Sequence, residues 1–284
     1  MHKNYCLFRR KLFIHLKQAC SPEFINYLNA YEALPLPPKE SLEISCELDN
    51  GIRVDSMRLA ILYLHKQVLL NWLSSCHDPI SKVDDVLFDN YTDHCFGIGL
   101  ADYPSKAGVC RKKIYNFYGA SATDLMKINH IKKNFKLLDI PDMDFERDLR
   151  LFKLLEFSGN DWDLKHQPII KVYYGPFYLQ QLFDEFSEQF TKEEILRFKE
   201  LHQKGFLSEK FSITARYHRE KRNLRVDMFY KFKSIVPYLR VFDVNREVSK
   251  FLLEMYKIFP GTNLTGVSMQ GFPRNKTQFY FQLK

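Results

Sequence analysis

Glu43, Ser45 and Glu47 alternate with Leu42, Ile44, Cys46 and Leu48 in the run Ser41-Leu42-Glu43-Ile44-Ser45-Cys46-Glu47-Leu48. A period of two predicts a strand with one apolar and one polar face. Later segments repeat the pattern with cations and aromatics at the polar positions. A strand over 109–118 sets Arg111, Lys113, Tyr115 and Phe117 against Cys110 and Ile114. One over 168–174 sets Lys171 and Tyr173 against Ile170 and Val172, and one over 223–232 sets Arg225, Asp227 and Phe229 against Leu224, Val226 and Met228. A single charge on a strand is ordinarily a solvated one, but four strands sharing one pattern point to a common polar interior. Grouped cations bind a diphosphate through charge-assisted hydrogen bonds. Aromatic faces beside them stabilise an allylic cation and exclude water. A carboxylate at the opposite end can take the proton released by a nucleophile.

The elements that position these residues alternate between strand pairs and helices. After the first strand and the turn Asp49-Asn50-Gly51, Met57, Ile61, Leu64 and Val68 at helical spacing predict a helix over 56–75 capped by Ser56. Arg58 lies in its first turn, within reach of the same interior. Strands follow near 94–101 and 109–118, and a helix runs from about Ser121 to Phe135. The segment 150–158 reads as a strand partnered by Pro168 to Tyr174. Helices are expected over 176–188 and 191–204, the second opened by the capping box Thr191-Lys192-Glu193-Glu194. A hairpin of 211–218 with 223–232, a helix over 244–257 and a hairpin of 264–271 with 277–283 complete the chain. Short hairpins make neighbouring strands antiparallel. The expected fold class is therefore α+β: a closed antiparallel barrel of about ten strands, 1–284 as a single domain, ringed by helices. Its apolar face packs on the helices and its polar face lines a solvent-filled lumen.

The 45% hydrophobic content excludes global disorder. The segment from Leu7 to Leu16 carries Arg9, Arg10, Lys11 and His15, unlike a signal peptide, and no apolar run is long enough for a membrane span, so the chain reads as cytoplasmic. The six cysteines form no C-x-x-C pair, and no dedicated metal cage is seen. A net charge of +8, with 25 Phe and 16 Tyr, invites an anionic partner. Single-stranded nucleic acid is one such partner. A pyrophosphate held beside a shielded carbocation is another.

The run Ser41-Leu42-Glu43-Ile44-Ser45-Cys46, followed by Ser56-Met57-Arg58-Leu59, resembles the ABBA prenyltransferases, and within them the cyanobactin peptide prenyltransferases. It is similar to their S-L-E-x-S-C and S-R-hydrophobic signature. The strand Gly97-Ile98-Gly99-Leu100 and the cationic strand after it match in order and spacing. The resemblance covers most of the chain but is specific only around residues 41–65. It implies that Glu43 is the general base near the acceptor. It implies that Arg58, Arg111, Lys113, Lys171 and Arg225 hold the diphosphate, with magnesium bound through it. Tyr115, Tyr173, Phe229 and Tyr230 are the implied carbocation shield, although Tyr230 has the wrong parity in a regular strand. Leu62 falls at the position that gates prenyl length, favouring dimethylallyl over geranyl diphosphate.

Glu47 and Asp227 depart from the pattern of a tyrosine-prenylating relative. With Glu43 they would place three carboxylates at the acceptor end, where each needs a cation, internal or from the substrate. The planar, forked guanidinium pairs best with several carboxylates. The resemblance implies a linear or macrocyclic peptide as substrate and a family that includes arginine prenylation, so arginine is the expected acceptor, with Tyr, Trp and His as alternatives. No nucleic-acid or membrane partner is expected, because carboxylates on the cationic faces would repel phosphates. A carrier of hydrophobic ligands would need an apolar lumen.

Overall fold

The computed structural model describes residues 22–33, 41–49, 53–75, 86–87, 94–102, 110–162, 168–230, 236–241, 244–258, 263–270 and 276–283. Strands β1 (Ser41–Asp49), β2 (Arg53–Leu64), β3 (Cys95–Asp102), β4 (Cys110–Phe117) and β5 (Leu155–Trp162) form one run of neighbours. Strands β6 (Ile169–Tyr178), β7 (Leu207–Tyr217), β8 (Arg222–Tyr230), β9 (Asn263–Gln270) and β10 (Lys276–Leu283) continue it, and β10 pairs back onto β1. Every pairing is antiparallel, so the barrel closes and both edges of each strand are satisfied.

Around the barrel run helices α1 (Pro22–Glu32), α2 (Lys66–Ser75), α3 (Asp124–Leu137), α4 (Met143–Phe152), α5 (Leu179–Asp184), α6 (Lys192–Gln203), α7 (Val236–Val241) and α8 (Arg246–Ile258). Thr191 and Glu194 make the reciprocal capping box expected at α6. Across β6, β7 and β8 the barrel's outward face is apolar. Ile170, Val172, Tyr174, Ile213 and Ala215 are buried there with Phe135, Phe145, Phe152, Phe198 and Leu201 of the helices. Each of the Ile, Val, Leu and Phe side chains among them contributes roughly 1.5–3 kcal/mol by leaving water.

Three expectations change. Residues 53–64 are strand rather than the start of a helix, and only Lys66–Ser75 is helical. The spacing of Met57, Ile61 and Leu64 suits a helix, but 53–64 also alternates. Pairing with β1 on one side and β3 on the other satisfies both of its edges, and this outweighs the local pattern. The segment 150–158 is the end of α4 followed by β5. Phe145, Asp148 and Phe152 are buried on one side of α4, and Lys153 ends it in the left-handed conformation. Residues 176–188 divide among the end of β6, α5 and a 3-10 turn at Ser187–Gln189. Helices α1 and α7 were not expected, and Pro273-Arg274-Asn275 lies outside the described residues.

One buried ion pair fastens the helical layer to the barrel. Asp148 of α4 accepts a hydrogen bond from the Tyr217 hydroxyl at 2.7 Å and from Arg222 Nε at 2.8 Å. Arg222 Nη2 lies 2.7 Å from the other carboxylate oxygen. Removing one partner of such a pair leaves a buried charge unmatched. Asp148→Ala should lower unfolding free energy by about 3–5 kcal/mol in urea denaturation, with wild-type secondary structure in native buffer.

Candidate active site

Strand register assigns the lumen face. Ser45 lies opposite Arg58, Glu43 opposite Ala60, Gly99 opposite Lys113 and Gly97 opposite Tyr115. Lys113 in turn lies opposite Asp161, Gly159 opposite Lys171, Lys171 opposite Arg216, Thr214 opposite Arg225 and Ser212 opposite Asp227. Strands alternate in direction, so the lumen is graded along its axis. Cations gather toward the end where β3–β4, β5–β6 and β7–β8 turn back on themselves. Aromatics occupy the middle. Toward the end from which the chain leaves for the helices stand Glu43, Asp227 and Glu156.

At the hairpin end, Lys171 Nζ is 2.6 Å and Lys113 Nζ 3.7 Å from the two oxygens of Asp161. Arg58 donates to Glu47 at 2.9 Å. Burial pushes Lys113 down to about 8, with Asp161 opposing and Arg58 and Arg216 adding to the fall. Lys171 is pushed well below its ordinary value by burial among the same cations. Burial would raise the Asp161 carboxyl, but Lys113 and Lys171 override it and hold it below the usual range. The group is dense, dry positive charge on a rigid frame, a chemistry suited to a polyanion.

The aromatic middle is built around Tyr115. Its ring stacks near Phe117 with centroids 5.9 Å apart and meets Phe157 and Tyr173 at 6.4 Å each. Phe157 and Tyr173 stack on each other at 3.9 Å. Glycines on both flanking strands make room for this. A Cβ on Gly159 would stand 3.3 Å from the Tyr115 ring, and one on Gly97 would stand 3.0 Å from both Leu62 Cδ2 and Phe117. Leu62 therefore lies on a strand, not a helix, beside Phe117 and Tyr115. Tyr63 follows it in a β-bulge with φ 64°, and its ring reaches Phe117 at 5.5 Å.

Burial pushes Glu43 up to about 7, aided by Asp227 and opposed by Lys113 and Arg225. Arg225 lies 2.8 Å from Asp227, which also accepts a hydrogen bond from the Thr214 hydroxyl. Partial burial and the Asp227 charge raise Glu156. A carboxyl poised near neutrality facing an aromatic chamber has the properties of a general base.

Of the residues expected from sequence, Glu43, Arg58, Leu62, Lys113, Tyr115, Lys171, Tyr173, Arg225 and Asp227 all face this lumen. Glu47 does too, but it is bound to Arg58 among the cations, about 13 Å along the strand from Glu43 by strand rise. Arg111 pairs with Ala101 through its backbone, and Phe229 with Gly266. The side chains of Arg111, Phe229 and Tyr230 lie outside the described residues. Asp161, Phe157, Arg216 and Glu156 were not anticipated. Arg216 was readable, since Ser212, Thr214 and Arg216 alternate with Ile213 and Ala215.

The sign of the Glu43 effect on stability is testable. Its folded pKa of about 7 exceeds the unfolded value of 4.5. The stability it gives is thus complete below pH 4.5 and is lost as pH rises through 7. Glu43→Gln should melt above wild type at pH 8, by on the order of 1–2 kcal/mol, with the difference vanishing near pH 4.

No family model matches the chain, and no curated protein matches its sequence. Solved structures do match in shape. AnaPT from Neosartorya fischeri superposes with a TM-score of 0.65 at 12% identity, over 98% of this chain and 91% of that one. The prenyltransferase PriB gives 0.63 at 12% identity over 98% and 95%. The 6-dimethylallyltryptophan synthase from Micromonospora olivasterospora, solved with DMASPP and Trp, gives 0.62 at 12% identity over 84% and 81%. The chain thus has the ABBA prenyltransferase barrel, a closed antiparallel sheet within a ring of helices.

Proposed function

We propose that the protein is a prenyltransferase that moves a dimethylallyl group from dimethylallyl diphosphate to the guanidine of an arginine in a peptide, in the cytoplasm. The observation that carries this is the order of groups along the lumen, from buried cations through stacked aromatics to a carboxyl poised near pH 7. The similarity in fold to a dimethylallyltryptophan synthase and to PriB supports the same reading. Lys171 and Arg225 are only 3% and 6% exposed, unsuited to tracking a nucleic-acid backbone.

The carbon–oxygen bond of the donor breaks, and its electron pair leaves with the diphosphate toward Arg58, Lys113, Lys171 and Arg216, whereas Arg225, expected among them from sequence, is bound to Asp227. Arg111 is a further diphosphate ligand from the same strand as Lys113. The allylic cation is held against Tyr115, Tyr173 and Phe157, with Phe229 and Tyr230 as further candidates. A guanidine nitrogen attacks it as Glu43 takes the nitrogen's proton. The cationic donor set is wrong for a hard metal ion, so magnesium would enter on the diphosphate's own oxygens.

Glu43, Asp227 and Glu156 outweigh Arg225 at the acceptor end, which suits an incoming cation. Glu47 supports the site indirectly in this reading, by holding Arg58. A neutral Tyr, Trp or His acceptor is the second reading, favoured by the bond that Arg225 already makes to Asp227. Incubation with dimethylallyl diphosphate, magnesium and linear or cyclic peptides offering Arg, Tyr, Trp or His separates them by mass spectrometry. Prenyl mass gain confined to arginine peptides is expected, and gain on aromatic peptides alone overturns the acceptor assignment. The rate should rise with pH to a plateau, half-maximal near pH 7. Glu43→Gln should lower the plateau rate by roughly 10²–10⁴-fold and abolish the rise with pH.

Leu62 occupies space beside the aromatics that a longer tail would need. Leu62→Gly should increase use of geranyl diphosphate relative to dimethylallyl diphosphate in competition assays. An unchanged preference would place the length gate elsewhere.

A further inference from the structure

Two carboxylates stand among the cations at the hairpin end, where a diphosphate would repel them. Glu47 is bound to Arg58. Asp161 is 8% exposed, and its Oδ2 lies 2.6 Å from Lys171 Nζ. Its Oδ1 accepts no hydrogen bond from the described residues and lies 3.7 Å from Lys113 Nζ. The backbone fixes this arrangement. Strand β5 runs between β4 and β6, with Asp161 directly opposite Lys113 and Gly159 opposite Lys171.

We propose that Asp161 is a positioning residue for the donor. It keeps the neighbouring Lys113 and Lys171 ammoniums charged in the empty barrel and releases them to the incoming diphosphate. This rests on the prenyltransferase reading and extends it to a residue whose own charge opposes the ligand. Lys171 faces Asp161 from β5, Lys113 from β4, Arg216 from β7 and Arg58 from β2, and it lies close enough to His218 to affect its titration. Arg225 from the adjacent β8 and Glu47 from β1 across the lumen act on Arg216, and Glu43, also on β1, interacts with Lys113. In that setting burial and like charge both drive an ammonium to shed its proton, and Asp161 is the carboxylate placed to prevent it. At 3.7 Å Lys113 is beyond hydrogen-bond range of Asp161, so it can turn to a phosphate oxygen without breaking a hydrogen bond to it.

Calorimetric binding of inorganic pyrophosphate at pH 6, 7 and 8 tests this with wild type, Asp161→Asn and Asp161→Glu. Counting charges alone, removing an acid beside an anion site strengthens binding. The proposed role predicts the reverse: Asp161→Asn binds about tenfold more weakly at pH 8, losing up to tenfold per pH unit as a lysine must regain its proton. Asp161→Glu restores most of the affinity and the shallower wild-type pH dependence. Equal or tighter binding by Asp161→Asn with the wild-type pH dependence overturns the role. Should Asp161→Asn fail to fold, lysine ε-carbon NMR shifts of the free wild type decide. Both lysines charged at pH 7 supports the role, and a neutral one overturns it. Wild type that neither binds pyrophosphate nor transfers prenyl groups removes the prenyltransferase reading and this role together. Wild type that does both beside an unaltered Asp161→Asn removes only the role of Asp161.

Discussion

Burying several cations in one chamber is the constraint on which the rest of the structure turns. Two unit charges 4 Å apart still repel by about 4 kcal/mol where the effective dielectric is near that of a protein surface. Neighbouring cations, Arg58 and Arg216 among them, depress Lys113 and Lys171, and Arg225 and Arg58 depress Arg216. The barrel tolerates this because Asp161 and Glu47 are interleaved with them, on strands whose register cannot slip. A one-residue slip in any strand would turn its lumen residues outward, and closure through β10 and β1 removes the free edge that would permit it.

The helical ring follows from the same demand. With polar groups inside, the apolar residues of β6, β7 and β8 must be covered from outside, and α3, α4, α5 and α6 cover them. Asp148 with Tyr217 and Arg222 then fixes α4 against the hairpin of β7 and β8. That hairpin carries Arg216 on one strand and Arg225 with Asp227 on the other. An interaction outside the barrel thereby supports the spacing of charges inside it. The glycines at 97 and 159 serve the chamber in another way, by leaving Tyr115 room to lie close to the sheet.

Alternation alone revealed which face of β1, β4, β6 and β8 turns inward, because a period of two is the one pattern that each strand must keep. It failed at 53–64, where Met57, Ile61 and Leu64 also satisfy a helical spacing and only the neighbouring strands decide the outcome. Asp161 lies beyond the strand expected over 150–158, whose true span is Leu155–Trp162, while Phe157 lies within both spans and its inward face shows only from the register with β4 and β6. The pairing of Glu47 with Arg58, and not with Asp227, depends on height along the barrel axis. Strand directions and register set that height, and neither is written in local sequence.

Prenyl transfer in this barrel requires the donor to lie in one direction along the lumen. A crystal structure with an unreactive thio analogue of dimethylallyl diphosphate tests this most directly. The geometry predicts the diphosphate between Lys113, Lys171 and Arg216, with the prenyl tail against Phe157 and Tyr173 and pointing toward Glu43. A diphosphate bound at the Glu43 and Asp227 end, or outside the barrel, would contradict it.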